Sequence, residues 1–172
     1  MNSSLTIRAE SERDHVVVGN IIRAAFEGKP YAAGDEAELV EALRAVGDLS
    51  VSLVAELNGV VVGQIALSPA QPSDGSSHWY ALGPVAVLPS HQGARIGSQL
   101  VLASLQVITE LGANGCILEG DPAYYVRFGF ELSPSNAPAP ESSRFFMAKV
   151  LRGQLPNGPI AFHPAFNTAE HP

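Results

Sequence analysis

One cysteine in 172 residues, Cys116, leaves no partner for an internal disulfide, and a lone thiol is a poor start for a zinc site. Cations are scarce as well. Lys and Arg total 10 against 17 Asp and Glu, for a formal net charge of -7. Such acidity argues against nucleic acid or an anionic membrane as the main partner, while leaving room for one local basic pocket. No long apolar run is present. The longest charge-free stretch, Gly75 to Ala94, is broken by Pro84, Pro89 and polar residues, so it is no membrane span. Met1 to Asp14 alternates polar and apolar residues without a signal-peptide core, so a cytoplasmic protein is expected. The histidines His15, His78, His91, His163 and His171 form no His-Glu-x-x-His pair, and no metal is expected. There is no Gly-x-Ser-x-Gly elbow, no Walker lysine and no early Gly-x-Gly-x-x-Gly run.

Hydrophobic residues make up 46% of the chain, enough for one well-filled core. Leu5, Ile7 and Ala9 alternate with polar residues and predict a half-buried strand. Ser11 is placed to cap a helix whose apolar face is Val17, Val18, Ile21, Ile22, Ala25 and Phe26. A second helix follows Gly34, with Leu39, Val40, Leu43 and Val46 as its stripe and Gly47 as its stop. Val51–Leu57 and Val60–Leu67 predict a hairpin, because Asn58-Gly59 suits the two positive-φ positions of a type I′ turn. Pro69 to Ser77 reads as a loop and His78 to Leu88 as a strand interrupted at Gly83-Pro84. Ile96 to Leu111 has helical spacing, Gly115 to Glu119 reads as a buried strand, and Asp121-Pro122 opens a short helix. A strand from Phe130, a proline-rich loop from Ser133 to Pro140 and a last strand, Phe145–Leu151, complete residues 1–151. Residues 152–172 form a tail that Ile160, Phe162 and Phe166 would dock on the same domain. The pattern predicts an α/β fold with a mixed, mostly antiparallel central sheet and helices on its faces.

Two segments carry candidate chemistry. In Val85-Ala86-Val87-Leu88-Pro89-Ser90-His91-Gln92-Gly93-Ala94-Arg95-Ile96-Gly97-Ser98 a strand passes through a short loop into a helix. Unpaired N–H groups at such a helix start form an anion site, and Gly93 and Gly97 allow close approach; equally, the glycines serve a tight turn and helix–strand packing. Gly83-Pro84 fits either a bulge or the start of the strand; a strand leaving its neighbour there would expose the N–H groups of Val85 and Val87. In Glu119-Gly120-Asp121-Pro122-Ala123-Tyr124-Tyr125-Val126-Arg127-Phe128-Gly129-Phe130 a strand feeds a very short helix that ends at Gly129. Taken alone, either tyrosine reads as a core residue whose hydroxyl needs a partner. His91 reads as a surface loop residue and Cys116 as an inert core thiol.

Together the two segments resemble the GNAT superfamily of N-acetyltransferases. The first is similar to its acetyl-CoA motif, hydrophobic-Ala-Val-x-Pro followed by Gln/Arg-x-x-Gly-x-Gly/Ala. The second is similar to its Tyr-x-x-x-Gly-Phe element, carried by Tyr125, Gly129 and Phe130. The string from Gly120 to Phe130 and the ending His163-Pro164-Ala165-Phe166 resemble the YhbS-like branch. Arg95 departs from the pattern, standing where it has glycine; its guanidinium would either crowd the diphosphate or pair with a phosphate.

The resemblance implies a V-shaped acetyl-CoA site between splayed strands. It assigns the cofactor to Val85, Ala86, Val87, Gln92, Gly93, Ala94, Arg95, Ile96, Gly97 and Ser98. It implies direct attack of a primary amine on the thioester, with Tyr125 as acid for the leaving thiolate and Glu119 as the candidate base. Glu119 taken by itself reads equally as a salt-bridging or solvated carboxylate. Acetyl-CoA is then a cosubstrate, and the acceptor is a small-molecule or protein amine that the sequence does not name. The alternative reading is a non-catalytic acyl-CoA sensor or scaffold. A homodimer is left open.

Overall fold

The computed structural model describes residues 4–168; Met1–Ser3 and residues 169–172, His171 and the end of the expected tail among them, lie outside that range. The elements in chain order are β1 (Leu5–Ala9), α1 (His15–Phe26), α2 (Glu36–Ala45), β2 (Val51–Leu57), β3 (Val60–Pro72) and β4 (Trp79–Val87). They continue with α3 (Ile96–Glu110), β5 (Gly115–Glu119), α4 (Pro122–Tyr125), β6 (Glu131–Leu132), β7 (Phe146–Val150), β8 (Ile160–Ala161) and α5 (Ala165–Thr168).

The strands form a sheet in the order β1-β2-β3-β4-β5-β7-β6, with β8 beside β3. Every pairing is antiparallel except β4 with β5. This is the expected mixed, mostly antiparallel sheet. Alternation along the strands gives it two apolar faces. Leu53, Ile65, Leu67, Cys116 and Leu118 turn one way and bury Ile96, Leu100, Leu105 and Ile108 of α3. Val54, Ala66 and Ala86 turn the other way and bury Val18, Ile21, Ile22 and Ala25 of α1 and Ala37 and Val40 of α2. At the β8 end, Ile160 is fully buried beside Trp79, Ile117 and Phe146, and Phe162 lies edge-on to Phe146 at 6.1 Å between ring centres. Asn58 and Gly59 take φ values of 51° and 85°, as the type I′ turn requires.

Several boundaries differ from those expected. β3 runs on through Pro72, so Pro69 to Pro72 is strand and not loop. β2 pairs no further along β3 than Leu67, and beyond it Gln71 and Pro72 pair with β8; a strand that has lost its β2 ladder tolerates proline. Val46 ends α2 and is exposed; Ala37 completes the buried stripe in its place. Ser11 opens a turn of 3-10 helix, Glu12–Asp14, one turn before α1. Phe130 is core but lies outside the two-residue β6, and the loop after Ser133 holds two further 3-10 turns.

The start of α1 is fixed by charge. Arg8 on β1 donates to both oxygens of Asp14 at 2.8 and 3.1 Å and to Glu56 on β2 at 2.9 Å, and the Ser11 N–H donates to Asp14 at 2.7 Å. Asp14 is buried, and the Arg8 guanidinium holds its carboxyl well below the usual carboxylate range. A carboxyl with a lowered folded pKa stabilises the fold above its ordinary pKa of about 3.9 and loses that contribution as pH falls toward the folded value. Asp14→Asn is therefore expected to cost roughly 2–3 kcal/mol at pH 7 in urea unfolding. The gap to wild type should narrow by about 1 kcal/mol between pH 5 and pH 3. A gap that stays constant over this range would contradict the assignment.

Candidate functional site

β4 and β5 pair for only three residues, Trp79↔Gly115, Tyr80↔Cys116 and Ala81↔Ile117. The Trp79 indole occupies the space where a Gly115 side chain would stand, which seats the two strands closely at this end. Beyond Ala81 they part. On its other side β4 follows β3 to Val87, with a bulge where Gly83-Pro84 adds one residue between the Leu82 and Val85 pairs. The Leu88 N–H donates to Val62 at 2.9 Å. Hydrogen-bonding direction alternates along an antiparallel strand, so the Ala86 N–H also faces β3, and those of Val85 and Val87 face the gap. The side-chain amide of Gln92 fills part of this gap by donating to the Val87 carbonyl at 2.9 Å.

The same wall continues into α3. Pro89–His91 is a 3-10 turn, Gln92 is extended, and Gly93 (φ 88°) and Arg95 (φ 65°) are left-handed. Arg95 is the N-cap, and its carbonyl accepts the first helical bond from the Gln99 N–H at 3.1 Å. The N–H groups of Ile96, Gly97 and Ser98 therefore have no acceptor within the helix. The Ile96 side chain is core and anchors the turn. A Cβ on Gly97 would stand 3.7 Å from the Tyr124 hydroxyl and 3.8 Å from Val87, which is ordinary contact, and Gly97 is not left-handed. In this loop the conformation that favours glycine falls on Gly93 and Arg95.

The opposite wall begins at the end of β5. Glu119 is exposed and sits opposite Phe146 of β7, which puts it on the α1/α2 side of the sheet with Ile117. Gly120 follows, and a Cβ there would come within 2.6 Å of the Tyr125 ring, so glycine is what lets that ring lie flat against the chain. Asp121 caps α4 by accepting from the Ala123 N–H at 3.0 Å, and the left-handed Gly129 ends the turn after it. The Tyr125 ring packs on Phe128 and Phe130, and burial, with a smaller push from the Asp121 carboxylate, raises its phenol to about 12. Tyr124 turns toward α3, where its hydroxyl lies 2.9 Å from Ser98 Oγ. Arg127 stacks over the Tyr124 ring at 4.6 Å.

Residues 18–130 match the sequence profile of the Acetyltransferase (GNAT) family. The chain belongs to the GNAT family. It is 33% identical to the uncharacterized N-acetyltransferase YhbS of Escherichia coli K12, over 95% of this chain and 99% of that protein. A GNAT acetyltransferase from Brucella melitensis, solved in complex with acetyl-CoA, is similar at 39% identity and a TM-score of 0.84, over 95% of this chain and 98% of that one. The Escherichia coli YhbS structure, in complex with CoA, aligns with a TM-score of 0.86 at 31% identity, over 95% and 92% of the two chains.

Within this GNAT fold the residues singled out from sequence divide unevenly. Val85, Val87, Gln92 to Ser98 and Tyr125 line or adjoin the two walls. Ala86 does not, since its side chain is buried under α1 and its N–H faces β3. Glu119 stands at the open end of β5. Cys116 is fully buried, which pushes its thiol up and keeps it inert. Tyr124 and Gly120 were not picked out. Among the described residues no three His, Cys, Asp or Glu side chains group as metal ligands, and no helix is long and apolar enough to cross a membrane.

Arg95 yields a test that needs no ligand. A left-handed residue other than glycine costs about 1–2 kcal/mol. Arg95→Gly and Arg95→Ala remove the same guanidinium, but only glycine relieves the backbone. The glycine variant is expected to be the more stable by about 1 kcal/mol in urea unfolding, the reverse of the order inside a helix. An alanine variant as stable as the glycine variant would contradict the left-handed conformation.

Proposed function

We propose that the gap between β4 and β5 takes acetyl-CoA, and that the protein transfers the acetyl group to a primary amine. The observation that carries this reading is the parting of the two strands, which turns the Val85 and Val87 N–H groups toward an open space beside the unpaired N–H groups of α3. It is supported by the Brucella and Escherichia coli relatives, whose structures hold acetyl-CoA and CoA.

The donor set fits such a ligand. The pantetheine arm is a chain of amides, and strand N–H groups spaced two apart can pair with it as a neighbouring strand would. Its diphosphate suits the start of α3, where the Ile96, Gly97 and Ser98 amides add to the positive end of the helix dipole. Gly97 presents no side chain to that space. Gln92 would act by holding the Val87 carbonyl, and the exposed Arg95 guanidinium would lie beside the phosphates.

Bound acetyl-CoA supplies an activated thioester. A strand N–H near Val85 would stabilise the negative charge that develops on the acetyl oxygen. Tyr125 would serve the sulfur. With its pKa near 12 the phenol stays protonated at any working pH, so a donor is always present. A thiol has a pKa of about 8.5, so full transfer from so weak an acid is uphill; Tyr125 would act mainly as a hydrogen-bond donor to the departing thiolate. Glu119, on the side of the sheet opposite α3, would take a proton from the incoming ammonium. The net charge of -7 favours cationic acceptors such as polyamines or aminoglycosides, and the acceptor class extends to protein amines.

CoA is expected to raise the melting temperature, because the site exists only in the folded chain. Turnover is read as CoA release against a panel of amines, with the acetylated product identified by mass. Tyr125→Phe should lower that turnover by roughly ten- to a thousandfold while CoA binding changes little. Full activity in Tyr125→Phe would remove the acid. CoA binding without turnover on any amine would favour a sensor of acyl-CoA over an enzyme.

A further inference from the structure

Tyr124 lies five residues before Gly129, outside the Tyr-x-x-x-Gly-Phe spacing, yet it makes a polar contact between the two walls. Its hydroxyl is 2.9 Å from Ser98 Oγ, 26 residues back in the chain. The side chain is held from several directions. Arg127 stacks over its ring and donates from Nε to the Tyr124 carbonyl at 2.9 Å. Phe128 and Tyr125 meet the ring at 5.3 and 4.9 Å between centres. α4 has four residues and cannot keep its own place by backbone bonds alone. The Tyr124 hydroxyl stands beside Gly97, 3.7 Å from where a Cβ there would lie.

Resting on the acetyl-CoA reading, we propose that Tyr124 is a positioning residue whose hydroxyl donates to Ser98 Oγ and so turns the Ser98 proton toward the diphosphate. The direction follows from donor strength. A phenol donates more readily than an aliphatic alcohol, and a serine oxygen can accept one proton while donating its own. Ser98 occupies the third position of α3, where its N–H is already without a helix acceptor. The oriented hydroxyl would give the phosphate a second donor from the same residue, and a chain of two hydrogen bonds to an anion is stronger than its links taken singly.

The test is a double-mutant cycle on the full chain, with CoA and with pantetheine, which has no phosphate, as ligands in calorimetry. Tyr124→Phe keeps the ring and is expected to weaken CoA about three- to tenfold, the loss of one hydrogen bond. Ser98→Ala should weaken it at least as much, and the double variant should match Ser98→Ala alone. Pantetheine affinity and the melting temperature without ligand should stay near wild type in all three. Wild-type CoA affinity in Tyr124→Phe, additive losses in the double variant, or an equal loss for pantetheine would each overturn the proposal and leave Tyr124 as packing. A wild-type protein that binds no CoA would overturn the acetyl-CoA reading first, and this proposal with it.

Discussion

Two neighbouring parallel strands that stay together for three residues and then part leave backbone donors facing each other across a gap. β4 and β5 do this at the centre of the sheet, where neither strand is an edge. Buried N–H groups without partners are costly, so the gap is stable only where water or a ligand reaches it. The arrangement is held from outside. β3 grips β4 along its other side as far as Val87, and β7 grips β5 along its whole length. The bulge at Gly83-Pro84 resets the phase of β4 so that Val85 and Val87 point into the gap and Ala86 points away.

Both helices that close the gap depend on this frame. α3 starts one short loop after β4 and packs Ile96 and Leu100 on the sheet, which fixes where its open N–H groups stand. α4 starts two residues after β5 and is anchored by the Tyr125 ring against Gly120, Phe128 and Phe130. The site is thus two strand ends, each continued by a helix start. One supplies N–H donors, and the other supplies two phenols with different surroundings. Burial makes Tyr125 a phenol that keeps its proton. The contact with Ser98 gives Tyr124 a part in orienting the first wall.

The sequence carried the features that are local. Asn58-Gly59 asks for positive φ at two successive residues and gets it, and Gly83-Pro84 marks the bulge because proline breaks a ladder wherever it stands. The spacing of Tyr125 to Gly129 singled out Tyr125 as the acid, and its ring packs on Phe128 and Phe130. What was not legible depends on partners far along the chain. Pro69 to Pro72 joins β3 because it pairs with Tyr80 and Trp79 of β4 and with Ile160 and Ala161 of β8, which no local pattern records. Adjacent tyrosines on a short helix look alike until the start of α3 is set beside them, so the role of Tyr124 was hidden. Arg95 was visible as a departure from the family pattern, but only the backbone explains the pattern's glycine, by its left-handed φ.

The central claim, that the parted strands present Val85 and Val87 to acetyl-CoA, is tested most directly by amide hydrogen exchange at single-residue resolution with and without saturating CoA. The account predicts that exchange of the Val85 and Val87 amides slows by at least roughly tenfold on binding, while the Ala86 amide, already facing β3, keeps its rate. Unchanged rates at Val85 and Val87 under saturation, or a response at Ala86 instead, would contradict it.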